Sequence, residues 1–452
     1  MSAAVSSSAQ PFTDLHSSFP TLSNSSASWA DYDNDGKPDF ALIGFSSVAA
    51  EVSTIYHNDG GGIFSLAFIL SIPVASGAVT WGDYDNDGDL DLLVNGQNGG
   101  TGPLAVTTIV RNDGLGVFTE ISSAVPGVVG VARWIDYDGD GWLDVITIGF
   151  GVTMTGDSTR LFHNDTNGTF TEIPSNLTGF VASDISVVDF DNDGDMDFFI
   201  TGGTVTLATF PVSKLFMNNG TGSFTEVPFS FTQLSLGTSS WADYDQDGDL
   251  DLLYDGVDST GLGTSLIYRN TGAGNFTLIN ANLPGSGEPG SVGWADIDND
   301  GDLDILLGGP SILLRNDGSN VFTDITQVDF PDGVSHSFAD IDNNGYPDIL
   351  FIAVNGGATA STIFRNDNLL SSVTNIKNDF DFTIYPNPVI DKIRIESSAF
   401  NVARVDIYNV FREIIASQNS MVIDVSQLSS GIYFVVVRNE KNNTGSRIFL
   451  KL

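Results

Sequence analysis

The residues best placed to do chemistry in this 452-residue chain are aspartates at alternate positions. The string D-x-D-x-D-G-x-x-D, with one substitution, begins at Asp31, Asp83, Asp136, Asp189, Asp243, Asp296 and Asp340. Positions 1, 3, 5 and 9 of each copy supply side-chain oxygens, and position 7 can add its backbone carbonyl. The glycine at position 6 permits the sharp turn between them. Such a loop aims several oxygens at one centre. That is the ligand set of a hard cation, and calcium, which takes about six to eight oxygens, fits better than magnesium, which holds to octahedral geometry and keeps water. The chain has no cysteine and only four histidines, which argues against zinc or copper sites.

Loop by loop, the expected ligands are Asp31, Asp33, Asp35, Lys37 and Asp39; Asp83, Asp85, Asp87, Asp89 and Asp91; Asp136, Asp138, Asp140, Trp142 and Asp144; Asp189, Asp191, Asp193, Asp195 and Asp197; Asp243, Asp245, Asp247, Asp249 and Asp251; Asp296, Asp298, Asp300, Asp302 and Asp304; and Asp340, Asp342, Asn344, Tyr346 and Asp348. Up to seven structural calcium ions follow. A plain acidic turn needs a single Asp to satisfy backbone N–H groups, whereas these loops repeat four side-chain oxygens at fixed spacing. Without a cation, so many carboxylates would raise one another's pKa and cost stability. The seventh loop, with Asn344 and Pro347, is the weakest candidate.

The elements that must position these loops recur with them. Successive copies lie 52, 53, 53, 54, 53 and 44 residues apart. The last interval is short because the connection shrinks to Gly308, Gly309 and Pro310. Two residues before each loop stands an aromatic (Trp29, Trp81, Trp134, Trp241, Trp294, Phe338), with Val187 in the fourth copy. After it comes a short apolar run such as Leu90 to Val94, reading as a strand buried on both faces. A variable Gly/Ser/Thr connection follows, then a hairpin with Asn, Asp and Gly at its bend, as in TIVRNDGLGVFTEI. Four short strands per repeat predict an all-β, seven-bladed propeller. The seventh repeat lacks its final F-T strand, and Phe12 to Leu15 at the other end can supply it and close the ring.

On these residues the chain resembles the FG-GAP or VCBS repeat family over residues 12–366. The resemblance implies calcium in the loop joining the first two strands of each blade, with ligands engaged on the opposite face. Connectivity places the variable second connections, such as 44–54 and 149–158, on that opposite face, since the first and third connections of a four-stranded meander share the other.

Residues 367–378 read as a linker, and 379–452 as a small Ig-like β-sandwich with strands over 382–385, 393–395, 405–408, 422–425, 432–437 and 448–450. This part resembles the C-terminal sorting domain of the type IX secretion system, on Tyr385, Pro386, Asn387 and Pro388, then Val405, Ile407, Tyr408 and Asn409, then Asp424, Ser426, Leu428, Gly431 and Tyr433, and Lys451. Phe411 departs from the pattern, where a glycine is usual. The resemblance implies the type IX machinery as a partner and a secreted or outer-surface location.

Charge supports this division. The formal net charge is −40, and residues 1–366 hold 48 acidic and 8 basic residues against 8 of each in 379–452. Such a surface repels nucleic acid and anionic lipid. No apolar run is long enough to span a membrane, and the first residues lack the basic and apolar segments of a signal peptide, so an exported form is expected to carry one outside this chain. No nucleophile elbow, HExxH or phosphate loop is present, and no catalytic residue is assigned. His57 and His163 share one repeat position with Arg111, Arg269, Arg315 and Arg365 and read as scaffold; Trp142 is a weak candidate contact. The preferred reading is a calcium-stabilised, secreted or cell-surface binding or adhesion module for a glycan or protein. The alternative is a polysaccharide lyase or hydrolase on the same scaffold.

Overall fold

The computed structural model describes residues 12–17, 19–46, 50–99, 104–121, 125–151, 157–204, 209–272, 274–285, 290–309, 311–326, 330–331, 333–353, 361–367, 382–387, 389–396, 402–408, 414–428, 431–439 and 444–451. All regular structure among them is β-strand. The chain divides into two compact units, Met1–Asn366 and Asp367–Leu452. The expected linker lies outside the described residues from 368 onward.

In the first unit the described residues form seven four-stranded antiparallel sheets, one per acidic loop. The second is representative: Val79–Gly82, Asp91–Gln97, Ala105–Asn112 and Phe118–Ile121 pair in chain order. Its second strand is buried on both faces from Asp91 to Gly96, which explains its unbroken apolar sequence. The acidic loop joins strands one and two, and the hairpin turn joins strands three and four. The seventh sheet takes Gly333–Ala339, Asp348–Ala353 and Thr362–Asn366 from the end of the unit and Phe12–Asp14 from its beginning. Phe12, Thr13 and Asp14 pair with Asn366, Arg365 and Phe364.

Between each neighbouring pair of sheets lies a hydrophobic core, and the set is cyclic. Tyr84 and Leu93 of the second repeat pack with Trp134 and Phe162 of the third. Phe40 and Leu42 of the first pack with Ile341, Leu350 and Ile363 of the seventh. The first strand of every sheet contacts the first strand of the next, and Leu22–Ala30 contacts Gly333–Ala339. The pre-loop tryptophans serve this packing: Trp81, Trp134 and Trp294 stack on Tyr32, Tyr84 and Tyr244 of the preceding repeats at centroid distances of 6.0, 5.9 and 5.4 Å.

The second unit holds a three-stranded sheet (Thr383–Tyr385, Lys392–Glu396, Val422–Asp424) and a four-stranded one (Ile414–Gln418, Val402–Tyr408, Gly431–Asn439, Thr444–Lys451) around one core that includes Ile393, Ile395, Val405, Ile407, Val435 and Phe449. Lys392–Glu396 alternates exposed and buried residues as a half-buried strand should. The strand Ile414–Gln418 was not expected, because its apolar residues Ile414, Ile415 and Ala416 show no alternation. Pro388, Asn409 and Phe411 lie outside the described residues.

Candidate metal centres

Each acidic loop is first a backbone device. In the fifth, Asp243 accepts the N–H groups of Asp247 and Gly248, both at 3.0 Å, and Asp247 accepts that of Asp249 at 3.1 Å. Gly248 sits at φ +96°, and all seven position-6 glycines fall between +84° and +98°, a region that side chains oppose. Position 4 is left-handed too, at +61° for Gln246 and +57° for Asn299, which explains the run of Asn, Gln and Gly there.

The aspartate at position 9 ties the loop to the rest of its sheet. Asp251 accepts from the N–H of Tyr244 at 3.2 Å through Oδ2 and from that of Asn270 at 2.7 Å through Oδ1. The same two bonds hold Asp39, Asp91, Asp144, Asp197, Asp304 and Asp348. These side chains are buried. Burial pushes Asp39 up to about 6 and the other six up to about 7, against the pull of the backbone N–H groups. Both oxygens of each position-9 carboxylate are thus already engaged, and a metal there would share them with the backbone.

Position 3 is different. Oδ1 of Asp85, Asp138, Asp191 and Asp298 is buried and has no hydrogen-bond partner. Burial, followed by the neighbouring loop carboxylates, raises the pKa of Asp85, Asp191 and Asp298. An ionised oxygen in that setting is costly unless a cation faces it. Carboxylate oxygens of Asp31, Asp33 and Asp35, of Asp83, Asp85 and Asp91, and of Asp136, Asp138 and Asp140 lie within 4.8 Å of one another. All-oxygen donors at such spacing, with orphaned oxygens among them, fit a hard divalent cation.

Two histidines read from sequence as scaffold stand in these clusters. His57 Nδ1 is 3.5 Å from Asp33 Oδ2 and 3.2 Å from Asp39 Oδ1; His163 Nδ1 is 3.6 Å from Asp138 Oδ2 and 3.3 Å from Asp144 Oδ1. Sequence reasoning saw the repeated position but not that the end of the third strand returns it to the acidic loop between the first two.

Neighbouring loops are also bonded to one another, which sequence reading missed. The position-4 amide donates to the position-6 carbonyl of the next loop: Asn86 to Gly141, Asn192 to Gly248, Gln246 to Gly301, Asn299 to Gly345 and Asn343 to Gly36. Gly139 in the third loop has no side chain to offer. The signal was present as the run N, N, G, N, Q, N, N at position 4.

Elsewhere, His336 Nδ1 lies 2.6 Å from Ser291 Oγ, and burial pushes the imidazole down to about 3. Ser291 also accepts the backbone N–H of His336, so the pair reads as a buried staple between the sixth and seventh sheets. Trp142 is half-buried. Parts of the variable second connections, including 47–49, 100–103, 152–156 and 205–208, lie outside the described residues.

The FG-GAP-like repeat family matches residues 31–94, 136–200 and 257–307, and the secretion system C-terminal sorting domain family matches residues 383–451. No curated protein matches the chain with significance. Among solved structures, an Agrocybe aegerita lectin that recognises non-reducing terminal N-acetylglucosamine is similar at 18% identity and TM-score 0.43, over 68% of this chain and 81% of the lectin. A biofilm matrix protein of V. cholerae is similar at 13% identity and TM-score 0.35, over 96% of this chain and 67% of that one. The chain thus carries FG-GAP-like repeats in three stretches of its first unit and a type IX secretion sorting domain over residues 383–451, the latter the mark of a secreted or outer-surface protein.

Proposed function

We propose that the first unit is a seven-bladed β-propeller that holds calcium in its acidic loops and serves outside the cell as a non-enzymatic binding or adhesion module. The observation that carries the calcium reading is the buried, unpartnered position-3 oxygen in four loops. Positions 1, 3 and 5 would hold the ion, with the position-9 carboxylate shared between ion and backbone. Bound calcium supplies the positive charge that lets these carboxylates stay ionised side by side.

The ligand is a glycan or a protein, engaged on the face opposite the calcium loops. The calcium face is built from near-identical loops and hairpin turns, which leave little to distinguish one partner from another. The other face carries the second connections, where the repeats differ most in length and sequence. A glycan array with the intact chain, with calcium and with chelator, tests this. Selective, calcium-dependent binding is expected, and loss of binding on replacing one long second connection by a short one. Binding abolished by calcium-face substitutions that leave the fold intact, and untouched by every second-connection change, would place the ligand on the wrong face for this reading.

A further inference from the structure

One repeat position distinguishes the seven loops. It precedes the hairpin asparagine and returns, two strands on, to the acidic loop of its own sheet. Strand register makes the sites equivalent: His57 pairs with Ser65, Arg111 with Thr119 and Met217 with Thr225. Residues 1–366 contain only 8 basic residues, and four of them, Arg111, Arg269, Arg315 and Arg365, stand here. Chance would scatter them.

Their placement is electrostatic. Arg269 Nη1 is 3.6 Å from Asp245 Oδ2, and Arg365 Nε is 3.9 Å from Asp342 Oδ2. His57 and His163 approach Asp33 and Asp138 in the same way. Arg111 and Arg315 turn to Asp113 and Asp317 of the hairpin, at 2.6 and 2.7 Å. The first loop has a second cation of its own, since Lys37 pairs with Asp35. The seventh has one fewer carboxylate, because Asn344 replaces an aspartate.

The fourth loop has none of this relief. It carries five aspartates, from Asp189 to Asp197, and its equivalent position is the uncharged Met217, 37% exposed. Asp191 Oδ1 is buried without a partner. A protein cation beside a ligand carboxylate competes with the metal's charge, and removing it strengthens binding by about tenfold even when the two charges are screened as in bulk water.

Resting on the calcium reading above, we propose that the fourth loop is the tight calcium site of the array, and that the seventh and first fill last. Those two are neighbours at the seam, where Asn343 donates to the carbonyl of Gly36 at 2.8 Å. Their own cations and backbone bonds hold the seam, so ring closure does not wait for metal. As calcium falls, the ring loses ions from the seam first and keeps the one opposite it longest.

The test titrates calcium into the intact chain against a fluorescent chelator. The parent should bind one ion about tenfold more tightly than the rest. Met217→Arg should remove that tight class while total stoichiometry is kept, and the change is suited to its site because four other repeats already carry arginine there. Arg269→Met should create a second tight ion, since the fifth loop also has five aspartates. If Met217→Arg binds its tightest ion as the parent does, or Arg269→Met adds none, the inference is overturned while calcium binding stands. A parent chain that binds no calcium overturns both.

Discussion

The side-chain amide of Asn58 donates to the backbone carbonyl of Ile341 at 3.0 Å, across 283 residues of sequence. The same bond joins Asn112 to Tyr32, Asn164 to Tyr84, Asn218 to Tyr137, Asn270 to Phe190 and Asn366 to Ile297. In each case the hairpin asparagine reaches position 2 of the preceding acidic loop, and for Asn58 the preceding loop is the last in the sequence. Closure of the ring is therefore the ordinary inter-repeat contact made between its two ends.

Replacing Asn58 by Leu should lower the melting temperature of the intact chain. The carbonyls of Ile341 and Pro38 lose a donor, and each buried polar group left unsatisfied costs about 1–3 kcal/mol. Asn218→Leu, which cuts the equivalent bond within the array, should cost a similar amount. A seam variant that melts with the parent would mean that this bond contributes nothing to closing the ring.

Calcium should contribute to stability in proportion to the loops filled. With a Kd of about 0.1–1 mM per site, about 10 mM calcium stabilises by roughly 1.4–2.7 kcal/mol per site. Chelator should lower the melt steeply. Asp245→Ala should forfeit more of the calcium-dependent part than Asn344→Ala, because the seventh loop already lacks one carboxylate. An identical melt with and without chelator would sink the metal reading.

The metal-free protein should also respond to pH with a definite sign. Burial holds Asp91, Asp144, Asp197, Asp251, Asp304 and Asp348 at about 7 and Asp39 at about 6, above the ordinary aspartate value. A group whose folded pKa is raised favours folding while protonated, and that contribution is lost as pH rises through the folded value. In chelator, the contribution of these groups should therefore fall between about pH 4, the ordinary aspartate value, and about pH 7, the folded one. Calcium favours the ionised carboxylates and should flatten this slope. A metal-free melt that climbs over the same range would contradict the burial of these groups as ionisable acids.

Removing residues 379–452 should leave a folded ring of residues 1–366 that still binds calcium, because the two parts are separate compact units. In a host with the type IX system and an added signal peptide, the truncated chain should stop in the periplasm while the full chain reaches the surface. Normal surface levels of the truncated form would remove the sorting role from this unit.

Much of this molecule was legible in one dimension because its main signals are local and periodic. Alternating aspartates, a glycine at position 6, a pre-loop aromatic and an N-D-G bend each report on a few neighbouring residues, and their recurrence every 52 to 54 residues over most of the array reports the architecture. The stray Phe12 to Leu15 was readable as the missing strand for the same reason. What sequence could not supply were relations between residues brought together by the pairing of strands and the circling of repeats. The bond from Asn112 back to Tyr32, the amide of Gln246 on Gly301, the approach of His57 to Asp33 and the orphaned oxygen of Asp191 depend on register between strands and on the angle between adjacent sheets. Residue types suggest such contacts without fixing them, since an asparagine suits a turn, a cap or a bridge equally well. Only the closed packing of the sheets assigned each side chain its partner.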